Sequence, residues 1–154
     1  MYCVTIHYTN CTFNPLLIIL LHNIRLTTLW DNTGGFMPKH EKIDYVEFPS
    51  TDLEATKKFF KKAFGWKFND YGSEYCDFAN EGINGGFYRS EKTANTETGS
   101  ALLIFYSKDL HATQQKIEET GGKITKQIFS FPGGRRFHFK EPGGNELAVW
   151  SDNN

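Results

Sequence analysis

Two kinds of hydrophobic spacing succeed one another along the chain, and then succeed one another again. Residues 43–48 alternate with a period of two, Tyr45 and Glu47 on one side and Val46 and Phe48 on the other, which predicts a strand. Ser50, Thr51 and Asp52 are helix-capping types, and Thr51 with Glu54 has the spacing of a capping box. Leu53, Phe60, Ala63 and Phe64 then recur at helical spacing, with Lys57, Lys58, Lys61 and Lys62 on the remaining surface and Gly65 closing the helix. Residues 66–68, 74–79 and 83–88 read as short strands between the turn residues Tyr71-Gly72-Ser73 and Asn80-Glu81-Gly82. Residues 91–99 are polar, show no period and read as a linker.

The second pass repeats that order. Residues 101–106 predict a strand, and Asp109-Leu110-His111-Ala112-Thr113 opens a helix that carries Leu110, Ile117 and Thr120 and ends at Gly121-Gly122. Asp52-Leu53-x-Ala55-Thr56 matches Asp109-Leu110-x-Ala112-Thr113 at a shift of 57 (109 − 52), and Gly65 falls on Gly122 at the same shift. Strands are predicted over 123–128, 136–140 and 146–150, and Gly82 with Phe87-Tyr88 matches Gly144 with Val149-Trp150 at a shift of 62 (144 − 82). The five extra residues (62 − 57) are assigned to a loop, Ser130-Phe131-Pro132-Gly133-Gly134. Two copies of strand–helix–three strands predict an α+β domain of tandem βαβββ modules, about residues 41–90 and 100–151. With one helix per sheet, each sheet keeps a free face, and two such faces together would curve around a cavity.

Side-chain alternation says what that cavity holds. Val46 and Phe48 belong under the first helix, so Tyr45 and Glu47 face away from it; the shift of 57 carries these two to Leu102 and Ile104. Leu147 and Val149 belong under the second helix, leaving Glu146, Ala148 and Trp150, whose first-module equivalents are Asn84, Gly86 and Tyr88. Phe137 and Phe139 are the core pair of their strand, so Arg136 and His138 face inward.

Composition narrows the classes. A chain of 154 residues with 39% hydrophobic and 23% charged residues is a globular one with room for a core. The aromatic fraction of 16% suits strands and an aromatic-lined site, and a net charge of −1 gives no electrostatic basis for a nucleic-acid or membrane partner. The helix lysines read as a solvated face. Cys3, Cys11 and Cys76 are odd in number and form no CxxC pair, which fits a reducing cytoplasm better than a disulfide framework or zinc knuckle. The first 36 residues stand apart: their only charges are Arg25 and Asp31, and the apolar run 16–21 is too short to span a bilayer and lacks signal-peptide flanks. They read as an extension outside a domain spanning 37–154, Met37 being a candidate natural start; a membrane-seeking or export segment is the competing reading.

Asp52-Leu-x-Ala-Thr-x-x-Phe-Phe with Phe64-Gly65-Trp66, Gly82-Ile83-Asn84-Gly85-Gly86, Glu119-x-Gly121-Gly122-Lys123 and Glu141-Pro142-Gly143-Gly144-Asn145 together resemble the vicinal oxygen chelate superfamily of glyoxalases, bleomycin-resistance proteins and extradiol dioxygenases. The resemblance covers about residues 41–151 and implies the glyoxalase/bleomycin-resistance fold and a homodimer. It implies three alternatives: a metal-free cavity binding a small organic ligand, which is the favoured one, a lyase or isomerase of the lactoylglutathione-lyase type, or metal-dependent glyoxalase I chemistry. Metal-using members place His, Gln or Glu at four inward positions, which fall here on Tyr45, Gly86, Leu102 and Ala148. None of these is a good ligand, so no metal cofactor is expected.

Glu47 and His138 are the candidate acid/base pair. A cavity-wall carboxylate at 47 can bind a cation or act as a general base, or it can be a hydrogen-bonded structural group. His138 is either a proton shuttle or a satisfied strand histidine. Glu146 has the same two readings, and His111, in the first helical turn, reads as solvent-facing. Tyr45, Asn84, Tyr88, Leu102, Ile104, Tyr106, Glu146, Ala148 and Trp150 are the candidate ligand-binding positions, the aromatic ones able either to stack on a planar ligand or simply to fill the space.

Overall fold

A computed structural model of the protein describes residues 38–152. The extension expected over residues 1–36 lies outside the described residues, together with Cys3 and Cys11. The first module is β1 (Tyr45–Ser50), α1 (Leu53–Phe64), β2 (Phe68–Asp70), β3 (Tyr75–Phe78) and β4 (Asn84–Arg89). The second is β5 (Leu103–Tyr106), α2 (Leu110–Glu119), β6 (Lys123–Phe131), β7 (Gly134–Lys140) and β8 (Glu146–Ser151). Each module forms a four-stranded mixed sheet, ordered β1-β4-β3-β2 and β5-β8-β7-β6, with its first strand parallel to its last. A parallel pair needs a crossover, and the rest of the module supplies it.

The repeat holds residue by residue. Glu47 pairs with Gly86 in the first sheet, and Ile104 pairs with Ala148 in the second, which are the same positions at shifts of 57 and 62. Tyr75 opposite Tyr88 corresponds to Arg136 opposite Trp150, a shift of 61 (136 − 75). Four of the five extra residues therefore precede Arg136. They do not form the loop expected at 130–134. β6 runs on to Phe131 and turns through Pro132-Gly133 straight into β7, so the insertion lengthens a hairpin. Two register irregularities along β6 accommodate it.

Local chemistry departs from the expected pattern at three other places. The cap of α1 is Asp52, which accepts from the Ala55 N–H at 2.9 Å; Thr51 instead donates to the Gly143 carbonyl at 3.0 Å, so no capping box forms. Glu54 turns to Lys57. Lys57 is buried rather than on the open helix surface, its ammonium held by Asp70 at 2.5 Å and Glu54 at 2.6 Å, and those two hydrogen bonds raise its pKa. The linker is also not loose: Asn95 caps a 3-10 turn over Thr96–Thr98, Ala94 is buried, and the Ala94 carbonyl accepts from the Glu146 N–H at 2.8 Å.

The helix sides of the two sheets share one aromatic core. Phe59 of α1 packs on Phe139 of the second sheet, Phe64 stacks on Phe105 at 4.8 Å, and Phe60 stacks on Trp66 at 4.4 Å. A polar clasp stitches the modules beside it. The Glu141 carboxylate accepts from the Thr56 hydroxyl (3.0 Å), the Gly143 N–H (2.6 Å), the Asn145 N–H (3.0 Å) and the Asn145 amide (2.9 Å). Burial pushes this carboxyl up, against those four donors. The same Asn145 amide donates to the Pro49 carbonyl at 2.7 Å. Gly143 must be glycine here, because a Cβ would run into the Thr56 and Ser50 hydroxyls.

With the cores merged on the helix side, both helix-free faces stay open. Among the described residues no helix is long and apolar enough to cross a membrane.

Candidate functional site

On the open face of the second sheet the register sets side chains in rows. Ile104, Ala148, His138 and Lys126 make one row; Tyr106, Trp150, Arg136 and Phe129 make the next. Ala148, Trp150, His138 and Arg136 thus share one face of the sheet, and the two rows end against the lengthened hairpin.

In the first row His138 is 7% exposed, and its Nδ1 lies 2.9 Å from Glu146 Oε1. The other Glu146 oxygen accepts from the Thr96 N–H at 2.9 Å and the Thr96 hydroxyl at 2.7 Å. Burial works against the charge on Glu146, but the Thr96 N–H, His138 and the Thr96 hydroxyl outweigh it and hold the carboxyl at about 2. An ionised carboxylate only accepts hydrogen bonds, so Nδ1 carries a proton. In the neutral imidazole Nε2 then keeps the lone pair, and this atom is buried without a partner. His138 is one wall of a cleft of about 280 Å³ that Thr96, Glu97, Thr125, Lys126, Lys140 and Glu146 complete. A carboxylate-oriented histidine with its second nitrogen free is the arrangement of a general base.

In the second row the Arg136 guanidinium lies 5.1 Å from the Phe129 ring and 5.3 Å from the Phe131 ring. A cleft of about 380 Å³ opens beside it, lined by Ile104, Phe131, Gly133, Arg136 and Trp150. Trp150 is fixed edge-on against Tyr106 at 5.3 Å and faces Phe131 at 6.5 Å. Lys126 caps the Phe129 ring at 4.1 Å.

The open face of the first sheet is filled by its own side chains. Tyr75 donates to Glu47 Oε1 at 3.0 Å and lies 2.7 Å from the Tyr45 hydroxyl. Tyr75 has one proton and gives it to Glu47, so Tyr45 donates to Tyr75. Burial, then the bonds to Tyr45 and Glu47, push the Tyr75 phenol well up, so it stays a donor. Its ring lies over Gly86, where a Cβ would strike the Tyr75 hydroxyl. Asn84 accepts from the Asn80 N–H at 3.2 Å, and Tyr88 is exposed.

The expected residues thus divide between two places. Ile104, Tyr106, His138, Glu146, Ala148 and Trp150 share the second sheet, Ala148 fully buried beneath its neighbours; Tyr45, Glu47, Asn84 and Tyr88 share the first. Leu102 is half-buried just ahead of β5. Glu47 and His138, expected as a pair, sit on different sheets; the acid joined to His138 is Glu146. Sequence reasoning missed Thr96, Tyr75, Phe129 and Phe131. Thr96 gives no signal, lying in a segment without period. Tyr75 was findable, since a strand glycine such as Gly86 marks a close approach. Phe129 and Phe131 alternate ahead of Pro132-Gly133, which is a hairpin signal.

The four positions at which metal-using relatives carry ligands do not fit a metal ion. Tyr45 offers a phenol already engaged with Tyr75, Tyr75 fills the space over Gly86, and Leu102 and Ala148 have no donor. Among the described residues no three His, Cys, Asp or Glu side chains gather closely enough to hold an ion. Cys76 is buried, and burial pushes its thiol up to about 11, so it is no nucleophile near neutral pH.

Residues 42–149 match the model of the Glyoxalase/Bleomycin resistance protein/Dioxygenase superfamily. A glyoxylase-like domain-containing protein of Didymella fabae is 27% identical over 130 residues, covering 73% of this chain and 95% of its own. Among solved structures, a glyoxalase/bleomycin resistance protein/dioxygenase family enzyme from Burkholderia phytofirmans aligns with a TM-score of 0.60 at 14% identity, over 71% of this chain and 98% of that one. A lactoylglutathione lyase from Agrobacterium tumefaciens aligns with a TM-score of 0.55 at 18% identity, over 75% and 96% respectively. These two likenesses carry the fold.

Proposed function

The chain belongs to the Glyoxalase/Bleomycin resistance protein/Dioxygenase superfamily, and on that premise we propose that it binds a small organic molecule on the open face of its second sheet, without a resident metal. The observation that carries this reading is the cleft of about 380 Å³ between Trp150, Phe131 and Ile104, a size and lining that suit such a ligand. Native mass spectrometry of the purified protein tests it. A retained compound that the Trp150→Ala variant loses supports the reading; a chain that retains nothing from a broad set of small organic molecules sinks it.

A second reading rests on the His138–Glu146 pair and makes the chain a lyase or isomerase, the class named by the lactoylglutathione lyase likeness. Here His138 moves the proton and Glu146 fixes its orientation, while Glu47, engaged by Tyr75 on the other sheet, is the alternative base. Turnover of lactoylglutathione that His138→Gln abolishes and Glu47→Gln leaves intact supports His138; the reverse pattern supports Glu47, and no turnover in any form removes the enzyme reading. Homodimerisation is part of the proposal, favoured by Tyr45, Tyr88, Ile104 and Tyr106 exposed on the open faces. Light scattering that gives the mass of one chain at working concentration counts against it. The odd cysteine count keeps a cytoplasmic setting as the proposed location.

A further inference from the structure

We infer that the cleft beside Trp150 takes a flat organic monocarboxylate, with Arg136 as the group that receives its charge. The inference rests on the small-molecule reading above and names the chemistry of the ligand.

Arg136 is a cation in an apolar setting. Its Nε is buried and has no hydrogen-bond partner. Among the described residues no carboxylate lies within ion-pair distance of it, although its neighbours along the row are Trp150 and Phe129. The acid closest in sequence to this end of β8, Asp152, is engaged by the Tyr106 hydroxyl at 2.8 Å. Glu146, the acid of the adjoining cleft, is taken up by His138 and Thr96. A second cation, Lys126, shares the Phe129 ring and has no acidic partner among the described residues either. The two phenyl faces hold the guanidinium in place but satisfy none of its N–H groups.

Of the five residues lining the cleft, Arg136 is the one that carries charge, and Ile104, Phe131 and Trp150 make the rest of the wall apolar. A planar guanidinium fork matches a carboxylate bidentately, and the flat wall offered by Trp150 suits a ring. The first module has nothing equivalent. Tyr75 stands at the Arg136 position, and the phenylalanines of β2 and β3, Phe68 and Phe78, pack with the core instead. The site thus exists where the internal repeat breaks.

Titration calorimetry of the full chain with phenylacetate and its neutral isostere phenylacetamide tests this. Phenylacetate is expected to bind one per chain and at least ~10-fold more tightly than phenylacetamide, since the amide is neutral and offers the fork one acceptor and an opposing NH₂ donor in place of two acceptors. Arg136→Met removes that preference, with the melting temperature checking its fold. Ile104→Glu, at an exposed position, sets a carboxylate of the protein on the same wall and weakens phenylacetate ~10-fold or more. Equal binding of the two probes overturns the inference, as does a preference that survives Arg136→Met. Equal binding that Trp150→Ala abolishes leaves the small-molecule reading standing and removes only the carboxylate. Binding of neither probe removes the carboxylate as well, while the mass-spectrometric test still decides the broader reading.

Discussion

His138 and Glu146 lie on neighbouring strands with Nδ1 and Oε1 2.9 Å apart, and the linker between the modules completes the pair through Thr96. The second sheet therefore presents a histidine oriented by a carboxylate of its own sheet, and that carboxylate is in turn held from outside the sheet. That relationship gives the first prediction. The Glu146 carboxyl sits at about 2 in the folded chain against 4.5 for the free group. A depressed pKa contributes stability that is fully present above 4.5 and is lost as pH falls towards 2. Glu146→Gln should cost ~2 kcal/mol at pH 7, and the gap from the parent chain should close between pH 4.5 and 2. Thermal melts across that range check it; a gap that is the same at every pH would overturn the assignment.

Gly86→Ala is expected to cost ~1–3 kcal/mol, because the new Cβ displaces the Tyr75 phenol and breaks its bonds to Tyr45 and Glu47. Tyr75→Ala should relieve the steric part, so a double-mutant cycle read by urea unfolding should show strong coupling between the two positions. Additive effects would mean that the ring is free to move aside.

The clasp at Glu141 predicts an unusual result for a conservative change. Glu141→Gln keeps the volume but turns one acceptor into a donor that faces either the Gly143 and Thr56 donors or those of Asn145. It should destabilise the protein nearly as much as Glu141→Ala, by roughly 3 kcal/mol. Guanidinium midpoints for the two variants test this, and a near-neutral glutamine would show that the clasp contributes little.

Lys57 is held by two carboxylates although its helix is rich in solvated lysines. Replacing it with methionine leaves Asp70 without its cation, so Lys57→Met should destabilise by ~1–2 kcal/mol, whereas Lys58→Met at an exposed position should be within ~0.5 kcal/mol of neutral. The comparison of the two unfolding curves is the check; equal effects would place Lys57 with the surface lysines.

The architecture was legible in the chain because duplication wrote it twice. Asp52 and Asp109 cap equivalent helices, and Glu47 opposite Gly86 reappears as Ile104 opposite Ala148. Period-two alternation then assigned Leu147 and Val149 to the core, and Arg136 and His138 to the open face. What stayed hidden is what periodicity does not encode. Thr51 caps a carbonyl 92 residues away rather than its own helix, a choice made by tertiary packing. Lys57 looks like its neighbours until Asp70 is brought across to it. Glu47 and His138 both face away from the helices, but alternation gives the face of a sheet and not which sheet is opposite. The partner of His138 was in the candidate set as Glu146; the third member, Thr96, came from a stretch whose composition resembles any polar linker.

The lengthened β6–β7 hairpin reaches beyond the strands that the two modules have in common. Phe129 and Phe131, which it supplies, are half-buried at its outer end, whereas Phe137 and Phe139 at its base are locked in the core. Changes at the tip can thus reshape the wall of the cleft while the folding unit stays as it is. The two copies part ways on their open faces: the first lays Tyr75 over Gly86 and ties it to Tyr45 and Glu47, and the second carries the longer hairpin and the cleft beside Trp150.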